Sequence, residues 1–243
     1  METIHELLGY ENIKIAQKKG IFHFSIDSML LADFVKTKKS AEKIIDLGCG
    51  NAPIPLFLTL KTDSKIIGVE LQKEVYLLAR RSIEINHLEN QITVINCNIK
   101  GIHKTVGANK FNVVVANPPY FKYLPTSNIN KSPALTIARH EVAITLEEIV
   151  NEARKLLITG GTLNMIHRTE RLGEFIALLK CYNFGLRRLR FVYPKVTSSS
   201  ALLFLAEAKS NQKDDVIVER PLDVYKQENE YSDEVKKIFN FKK

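Results

Sequence analysis

Residues 117–120 read Asn117-Pro118-Pro119-Tyr120. A carboxamide oxygen and a proline carbonyl can accept two N–H groups, and an aromatic ring offers a face to stack on. The combination suits a planar exocyclic amine. The tetrapeptide follows Phe111-Asn112-Val113-Val114-Val115-Ala116, an apolar and largely β-branched run that reads as a buried strand. Two prolines give no N–H to a sheet ladder, so the chain must leave the strand there. The groups are therefore expected at a strand's carboxyl end, where open α/β sheets bind ligands.

A second constellation lies upstream. Ile44-Ile45-Asp46-Leu47-Gly48-Cys49-Gly50-Asn51-Ala52-Pro53 reads as a strand, a glycine turn and a helix start, with Pro53 suited to the first helical turn. Glycines at 48 and 50 let the backbone bend tightly and a ligand approach it. Glu70 follows Gly50 by twenty residues and ends a second apolar run, where a carboxylate can take both hydroxyls of a ribose. These features alone do not separate a dinucleotide site from an S-adenosylmethionine site. The dinucleotide pattern asks for glycine at position 53, and proline there counts against it.

The elements that must position these groups alternate. Strands are expected at 43–47, 65–69, 91–95, 111–116 and 161–167, and helices at 54–61, 73–86, 146–157 and 170–182. Such alternation implies a mostly parallel sheet covered on both faces. Segments 189–193 and 201–206 are expected to form a final antiparallel hairpin at one sheet edge. Residues 1–40 read as an N-terminal extension, 41–210 as the core domain, and 211–243 as a polar tail packed on it or extending it. That tail is expected to hold a short helix at 235–239. Within the extension, 22–27 looks extended and 28–35 helical, with Asp27 as N-cap. Segment 122–133, rich in Asn, Ser and Pro, reads as a loop facing substrate.

Composition narrows the class. The 243 residues carry 35 Lys plus Arg against 27 Asp plus Glu, a net charge of +8 that favours a polyanionic partner. The clusters Lys36, Lys38, Lys39, then Lys236, Lys237, Lys242, Lys243, and Arg187, Arg188, Arg190 read as solvated faces. No apolar run is long enough to span a bilayer, and no secretory leader is evident. Cys49, Cys97 and Cys181 fit neither a disulfide framework nor a zinc spacing. They read as small buried or half-buried residues. A cytoplasmic protein with no metal and no membrane association is expected, favoured as a monomer.

With Asp46-Leu47-Gly48-Cys49-Gly50, Glu70 and Asn117-Pro118-Pro119-Tyr120 in this order, the chain resembles the class I S-adenosylmethionine-dependent methyltransferases that act on amino groups. Phe24-Ser25-Ile26-Asp27-Ser28-Met29-Leu30-Leu31, Ala138-Arg139-His140-Glu141, Arg190-Phe191-Val192-Tyr193-Pro194 and the tail around Pro221-Leu222-Asp223-Val224-Tyr225 resemble the bacterial tRNA (adenine-N6) methyltransferases. Members of that family modify the adenosine at position 37 of a valine tRNA. The resemblance implies a Rossmann-like, seven-stranded, mostly parallel sheet with its last strand antiparallel. It implies cofactor contacts from Asp46, Gly48, Gly50, Glu70 and Asn117, and from the segment Cys97-Asn98-Ile99. There Asn98 stands where many relatives place an aspartate, and Ala52 replaces a common glycine.

The implied reaction moves a methyl group to the N6 amine of a tRNA adenosine. Asn117 and Pro118 would accept the amine's N–H groups, while Pro119 and Tyr120 would meet the base. Arg139 and His140 are candidates for contact with RNA, with Glu141, and bracing of the loop is a serious rival. Phe24, Ser25 and Asp27 are candidates for the methionine end of the cofactor, with a plain helix cap an equal reading of Asp27. His167 and Arg168 end a strand on the ligand side, where His167 reads as a satisfied surface histidine. The rival functions are N5-methylation of a glutamine in peptide release factor, methylation of an rRNA or DNA base amine, and RNA binding without turnover. The glutamine enzymes carry a helical domain ahead of the glycine motif, for which the 45 residues before Asp46 are too few.

Overall fold

The computed structural model of the chain describes residues 2–18, 25–118, 120 and 144–240. The N-terminal residues form an antiparallel hairpin, β1 (Glu2–Leu7) and β2 (Tyr10–Lys18). Then follow α1 (Ile26–Phe34), β3 (Lys43–Leu47), α2 (Pro53–Leu58), β4 (Lys65–Glu70), α3 (Lys73–Glu84), β5 (Ile92–Asn96), α4 (His103–Val106) and β6 (Phe111–Ala116). Beyond residue 144 come α5 (Leu146–Leu156), β7 (Leu157–Arg168), α6 (Leu172–Cys181), β8 (Phe184–Lys195), β9 (Leu203–Ser210), β10 (Ile217–Val218), β11 (Leu222–Gln227), β12 (Glu230–Tyr231) and α7 (Asp233–Ile238).

One sheet organises these elements, in the order β12-β11-β8-β9-β7-β6-β3-β4-β5, with β10 also paired to β8. Strands β5, β4, β3, β6 and β7 pair in parallel, and β9 runs antiparallel to both β7 and β8. The seven strands from β5 to β8 make the expected sheet. The total is ten, because the tail supplies β10, β11 and β12. The β8–β9 hairpin is therefore not at an edge, since β11 pairs with β8 outside it.

The parallel strands are buried on both faces, and their two-residue period divides the core. Ile44, Val113 and Val115 face a cluster with Met29, Leu30 and Leu31 of α1 and Leu56 and Phe57 of α2. Ile45, Leu47, Val114 and Ala116 face another with Ile149, Val150 and Ala153 of α5 and Phe175 of α6. Helix α5 shows the apolar spacing that drives this docking, burying Leu146, Ile149, Val150, Ala153 and Leu156. A reciprocal cap starts it: Thr145 Oγ1 accepts the Glu148 N–H at 3.2 Å, and Glu148 accepts the Thr145 N–H at 2.9 Å.

Several boundaries differ from expectation for identifiable reasons. Strand β7 begins at Leu157 rather than 161, because Gly160 (φ +79°) absorbs a bulge against β6 inside what reads as a turn. Helix α3 stops two residues short of 86, where the Asn86 side chain turns to bond Lys14 of β2 on both its N–H and its carbonyl. Helix α2 ends at Leu58, and Lys61 beyond it points its ammonium at the Ala32, Asp33 and Val35 carbonyls closing α1. A single 3₁₀ turn, Thr169–Arg171, precedes α6. Strand β8 is longer than 189–193, because its arginines are partnered rather than solvated. Arg188, 8% exposed, bonds Glu207, Glu219 and the Phe34 carbonyl, which corrects the reading of that cluster as a solvated face. Cys49 is buried and Cys97 half-buried, but Cys181 is exposed.

Helix α1 starts at Ile26, with Ser25 rather than Asp27 at the N-cap and no side-chain cap bond. Asp27 sits inside the first turn, so the extended reading of 22–27 fails at its described end. Residues 22–24, 119 and the 121–143 segment that holds Arg139, His140 and Glu141 lie outside the described residues.

The glycine turn after β3 meets β4 closely at Gly68. A Cβ added there would lie 2.7 Å from Cys49 Sγ and 3.1 Å from Cys49 Cβ. Gly68→Ala is expected to destabilise the fold by about 1–3 kcal/mol through overpacking. Adding Cys49→Ala should return part of that loss. Urea titrations of the two variants measure both effects, and a double variant no more stable than Gly68→Ala would refute the clash.

Candidate active site

Parallel register delivers the candidate groups to one level. Leu47 of β3 stands opposite Val69 of β4 and Ala116 of β6, and Ala116 stands opposite Met165 of β7. The turns after β3, β4 and β6 thus leave the sheet side by side. Glycine at 48 and 50 takes φ of +82° and +56°, and the N–H groups of Gly48 and Cys49 both donate to the Val69 carbonyl at 2.9 Å. Ala52 adopts the left-handed conformation too (φ +71°), which for alanine costs on the order of 1–2 kcal/mol. A small residue stands where the backbone wants glycine.

Glu70 is 7% exposed and its carboxylate is held from two sides. Oε2 accepts the Gly50 N–H at 3.1 Å, and Oε1 accepts the Gln72 N–H at 2.8 Å. Burial pushes this carboxyl up, against the hydrogen bonds from Gln72, Gly50 and Leu71 that hold it ionised. Each oxygen keeps a lone pair for a ligand hydroxyl. Asn96 Nδ2 clamps the same turn by donating to the Glu70 and Leu71 carbonyls, both at 2.9 Å.

Asp46 is electrostatically strained. It is fully buried, and neither carboxyl oxygen has a hydrogen-bond partner. Burial, and then the charge of Glu70, push its pKa up to about 8. An orphaned acid beside a glycine turn and an oriented carboxylate fits a ligand that carries positive charge and hydroxyls. Asn51, missed by sequence reasoning, is 1% exposed. Its Nδ2 donates to the Ala16 carbonyl at 2.9 Å, while its Oδ1 has no partner. Asn98 lies exposed on the turn after β5, its Oδ1 accepting the Lys100 N–H at 2.8 Å.

The amine-type groups meet helix α1. Asn117 Nδ2 donates to Ser28 Oγ at 3.0 Å. The Tyr120 hydroxyl lies 2.7 Å from Asp27 Oδ2 and 3.0 Å from Asn117 Oδ1. Pro118 is buried between them in sequence. Ser28 gave no signal in the sequence beyond its place next to Asp27. Gly48, Gly50, Glu70, Asn117 and Tyr120 therefore gather at one end of the sheet, whereas Pro119, Arg139, His140 and Phe24 are not among the described residues.

His167 corrects an expectation. It is fully buried rather than at the surface, 5.5 Å from the Tyr120 ring and stacked at 16° on Phe204. The Arg168 N–H donates to Nδ1 at 2.8 Å, so the neutral ring carries its hydrogen on Nε2, which has no partner. Burial, then the positive charge of Arg171, lower its pKa to about 3. Arg168 itself pairs with Glu170 at 2.7 Å. Among the described residues, no group of three or more His, Cys, Asp or Glu side chains is placed to hold a metal ion, and no helix is long and apolar enough to cross a membrane.

The Asp46 shift has a testable sign. Its folded pKa lies above the unfolded value of 3.8, so the acid favours the native state below pH 4 and that support is lost as pH rises towards about 8. Asp46→Asn should melt higher than the wild type at pH 7.5, by roughly 1–3 kcal/mol. The gap should close as pH falls towards 4. Thermal melts of the ligand-free proteins across that range measure it, and a constant gap would contradict the buried-acid account.

Comparison with known proteins bears on the family and the fold. The tRNA1(Val) (adenine(37)-N6)-methyltransferase of Shewanella halifaxensis is 27% identical over 162 residues, which span 67% of this chain and 64% of that protein. The enzyme of the same name from Pseudoalteromonas translucida is 28% identical over 230 residues, 93% of each chain. A crystal structure of a predicted O-methyltransferase from Agrobacterium tumefaciens superimposes with a TM-score of 0.69 at 21% identity, covering 88% of this chain and 95% of that one, which establishes the class I methyltransferase fold. The family model described as the methyltransferase small domain matches residues 12–182, and the chain belongs to that family.

Proposed function

We propose that this methyltransferase carries a methyl group from S-adenosylmethionine to the exocyclic N6 amine of an adenosine in tRNA, at position 37 of a valine tRNA. The observation that carries the reading is the Asn117 carboxamide, fixed at the carboxyl end of β6 beside the Asp46, Gly50 and Glu70 cradle. The names of the relatives supply the RNA and the position. The net charge of +8 supports a polyanionic substrate. Cytoplasmic action as a monomer is part of the same proposal.

Asp46, Gly48, Gly50, Glu70 and Asn98 would hold the cofactor. Glu70 suits the ribose hydroxyls, since two backbone N–H groups already orient its carboxylate. When bound, S-adenosylmethionine supplies an electrophilic methyl carbon on a sulfonium. The chain's own contribution is position and polarity. An adenine amine is a poor nucleophile, because its lone pair is delocalised into the ring. Asn117 Oδ1 and the Pro118 carbonyl would accept its two N–H groups and draw the nitrogen towards a tetrahedral state. Tyr120 would hold the base flipped out of its stack, with Pro119 beside it. The proton can leave to water after transfer, once the nitrogen is cationic and acidic, so the site needs no strong base.

Purified protein with S-adenosylmethionine should place N6-methyladenosine in unmodified valine tRNA from its own source, and Asn117→Ala should lower the rate by about a hundredfold or more. Mass spectrometry of digested tRNA reads both. Methylglutamine appearing in release factor, with no N6-methyladenosine, would sink the proposal. Affinity for that tRNA should also fall by about tenfold or more between 50 and 200 mM salt. A flat salt response in filter binding would speak against a face that contacts phosphates.

A further inference from the structure

Four side chains from two distant parts of the chain share one hydrogen-bond string: Asp27 and Ser28 from the first turn of α1, Asn117 and Tyr120 from the segment after β6. We infer that Asp27 is a positioning residue for the reaction: acting through the Tyr120 hydroxyl, and with Ser28 at the other end, it sets which way the Asn117 carboxamide points. The inference rests on the functional reading above.

Counting hydrogens carries the argument. The Tyr120 hydroxyl owns one, yet it lies within 2.7 Å of Asp27 Oδ2 and 3.0 Å of Asn117 Oδ1. Were Asp27 ionised, both neighbours would be acceptors, and one contact would set lone pair against lone pair. A proton on Asp27 removes the conflict. The acid then donates to the tyrosine oxygen, the hydroxyl donates to Asn117 Oδ1, and Asn117 Nδ2 donates to Ser28 Oγ. Each of the three contacts then pairs one donor with one acceptor, and all of them point the same way.

The surroundings favour that proton. Burial raises the Asp27 carboxyl above the usual range, against hydrogen bonds from Tyr120 and Ser25 and the more distant charge of Arg168 at the end of β7. His167, another titratable neighbour of Tyr120, is held neutral. With Asp27 ionised, the string would satisfy itself only in reverse: Tyr120 donating to Asp27, Asn117 Nδ2 donating to Tyr120, and Ser28 donating to Asn117 Oδ1. That state turns the carboxamide over. The oxygen that must accept an amine N–H would then lie on the Ser28 side.

The substitutions separate these states. Asp27→Ala cuts the string, and Tyr120→Phe cuts it while keeping the ring. Each should lower kcat by about tenfold or more with the KM for tRNA little changed. The double variant should be no worse than the poorer single, because both remove the same string. Asp27→Asn should recover most of the loss seen in Asp27→Ala, since its amide N–H donates to Tyr120 as the protonated acid does. Calorimetry with S-adenosylhomocysteine checks that each variant retains a folded cofactor site. An unchanged kcat in Asp27→Ala, multiplying losses, or an Asp27→Asn variant as poor as Asp27→Ala would each overturn the inference.

A second readout needs no turnover. In protein labelled with ¹⁵N-asparagine, the side-chain NH₂ pair that vanishes in Asn117→Ala belongs to Asn117. It should shift in Asp27→Ala and Tyr120→Phe and stay near its wild-type position in Asp27→Asn. An unmoved resonance would overturn the string. A resonance that responds in a protein that leaves tRNA adenosine unmodified would uphold the string and overturn the functional reading instead.

Discussion

The site depends on how β3 is paired. This strand has parallel neighbours on both sides, β4 and β6, at the place where the chain stops adding strands in one direction and begins adding them in the other. A crevice opens above such a strand because the connections on its two sides diverge. Leu47, Val69 and Ala116 share one level, so the glycine turn, Glu70 and Asn117 leave the sheet together. The pairing continues past the strand's end, where the Gly48 and Cys49 N–H groups both reach the Val69 carbonyl. A slip of two residues would keep every inward side chain inward. It would nonetheless carry one group about 6.6 Å from the others and dissolve the site.

The treatment of buried charge differs sharply between this crevice and the rest of the molecule. Two cations elsewhere, half-buried Lys61 and buried Arg188, are well supplied with acceptors. Lys61 gives three hydrogen bonds to the carbonyls that end α1, and Arg188 is bound by Glu207, Glu219 and the Phe34 carbonyl. In the crevice, both Asp46 oxygens, Asn51 Oδ1 and His167 Nε2 are buried without partners, and Ala52 holds a backbone conformation that favours glycine. Thr37 Oγ1, Asn164 Oδ1 and Ser210 Oγ are also buried without partners, but they lie apart, whereas Asp46 stands beside the glycine turn and Glu70, where a ligand could complete it. Fold stability is lowered locally, and a ligand that supplies the missing partners would restore it.

What the sequence made legible followed from how completely an element is buried. Strands β3 and β6 were readable to the residue, because Ile44-Ile45 and Val113-Val114-Val115 are apolar on both faces and are bounded by a glycine turn and a proline pair. Strand β8 was not, because Arg187, Arg188 and Arg190 break its apolar pattern. Only the later partners Glu207, Asp215, Glu219 and Glu234 explain why charge is tolerated there. The tail strands β10, β11 and β12 gave little signal, since β10 is exposed and β12 is two residues long. For the candidate site, glycine spacing and the offset to Glu70 indicated which groups meet at the sheet's end, though not what they bind. The burial of His167 and the tie from Ser28 to Asn117 were invisible, because both are products of which elements meet, not of local pattern.

Helix α1 shows why such a tie can be accurate. A nine-residue helix is weakly stable alone, and the position of its first turn depends on what holds the rest. Here Lys61 fastens its last carbonyls to the end of α2. Arg188, stacked 4.0 Å over the Phe34 ring, fastens it to β8, with Glu219 of the tail on the same guanidinium. Met29, Leu30 and Leu31 pack against the sheet between these anchors and the first turn. The hydroxyl of Ser28 and the carboxyl of Asp27 thus hang from a rigid body rather than a loop. A carboxamide at the exit of β6 has a backbone fixed by the sheet and the proline, but its χ torsions are free until something external holds both its ends. The helix supplies that hold on the nitrogen side through Ser28 and on the oxygen side through Asp27 and Tyr120, so part of the candidate site is built by residues that precede the glycine motif in the chain.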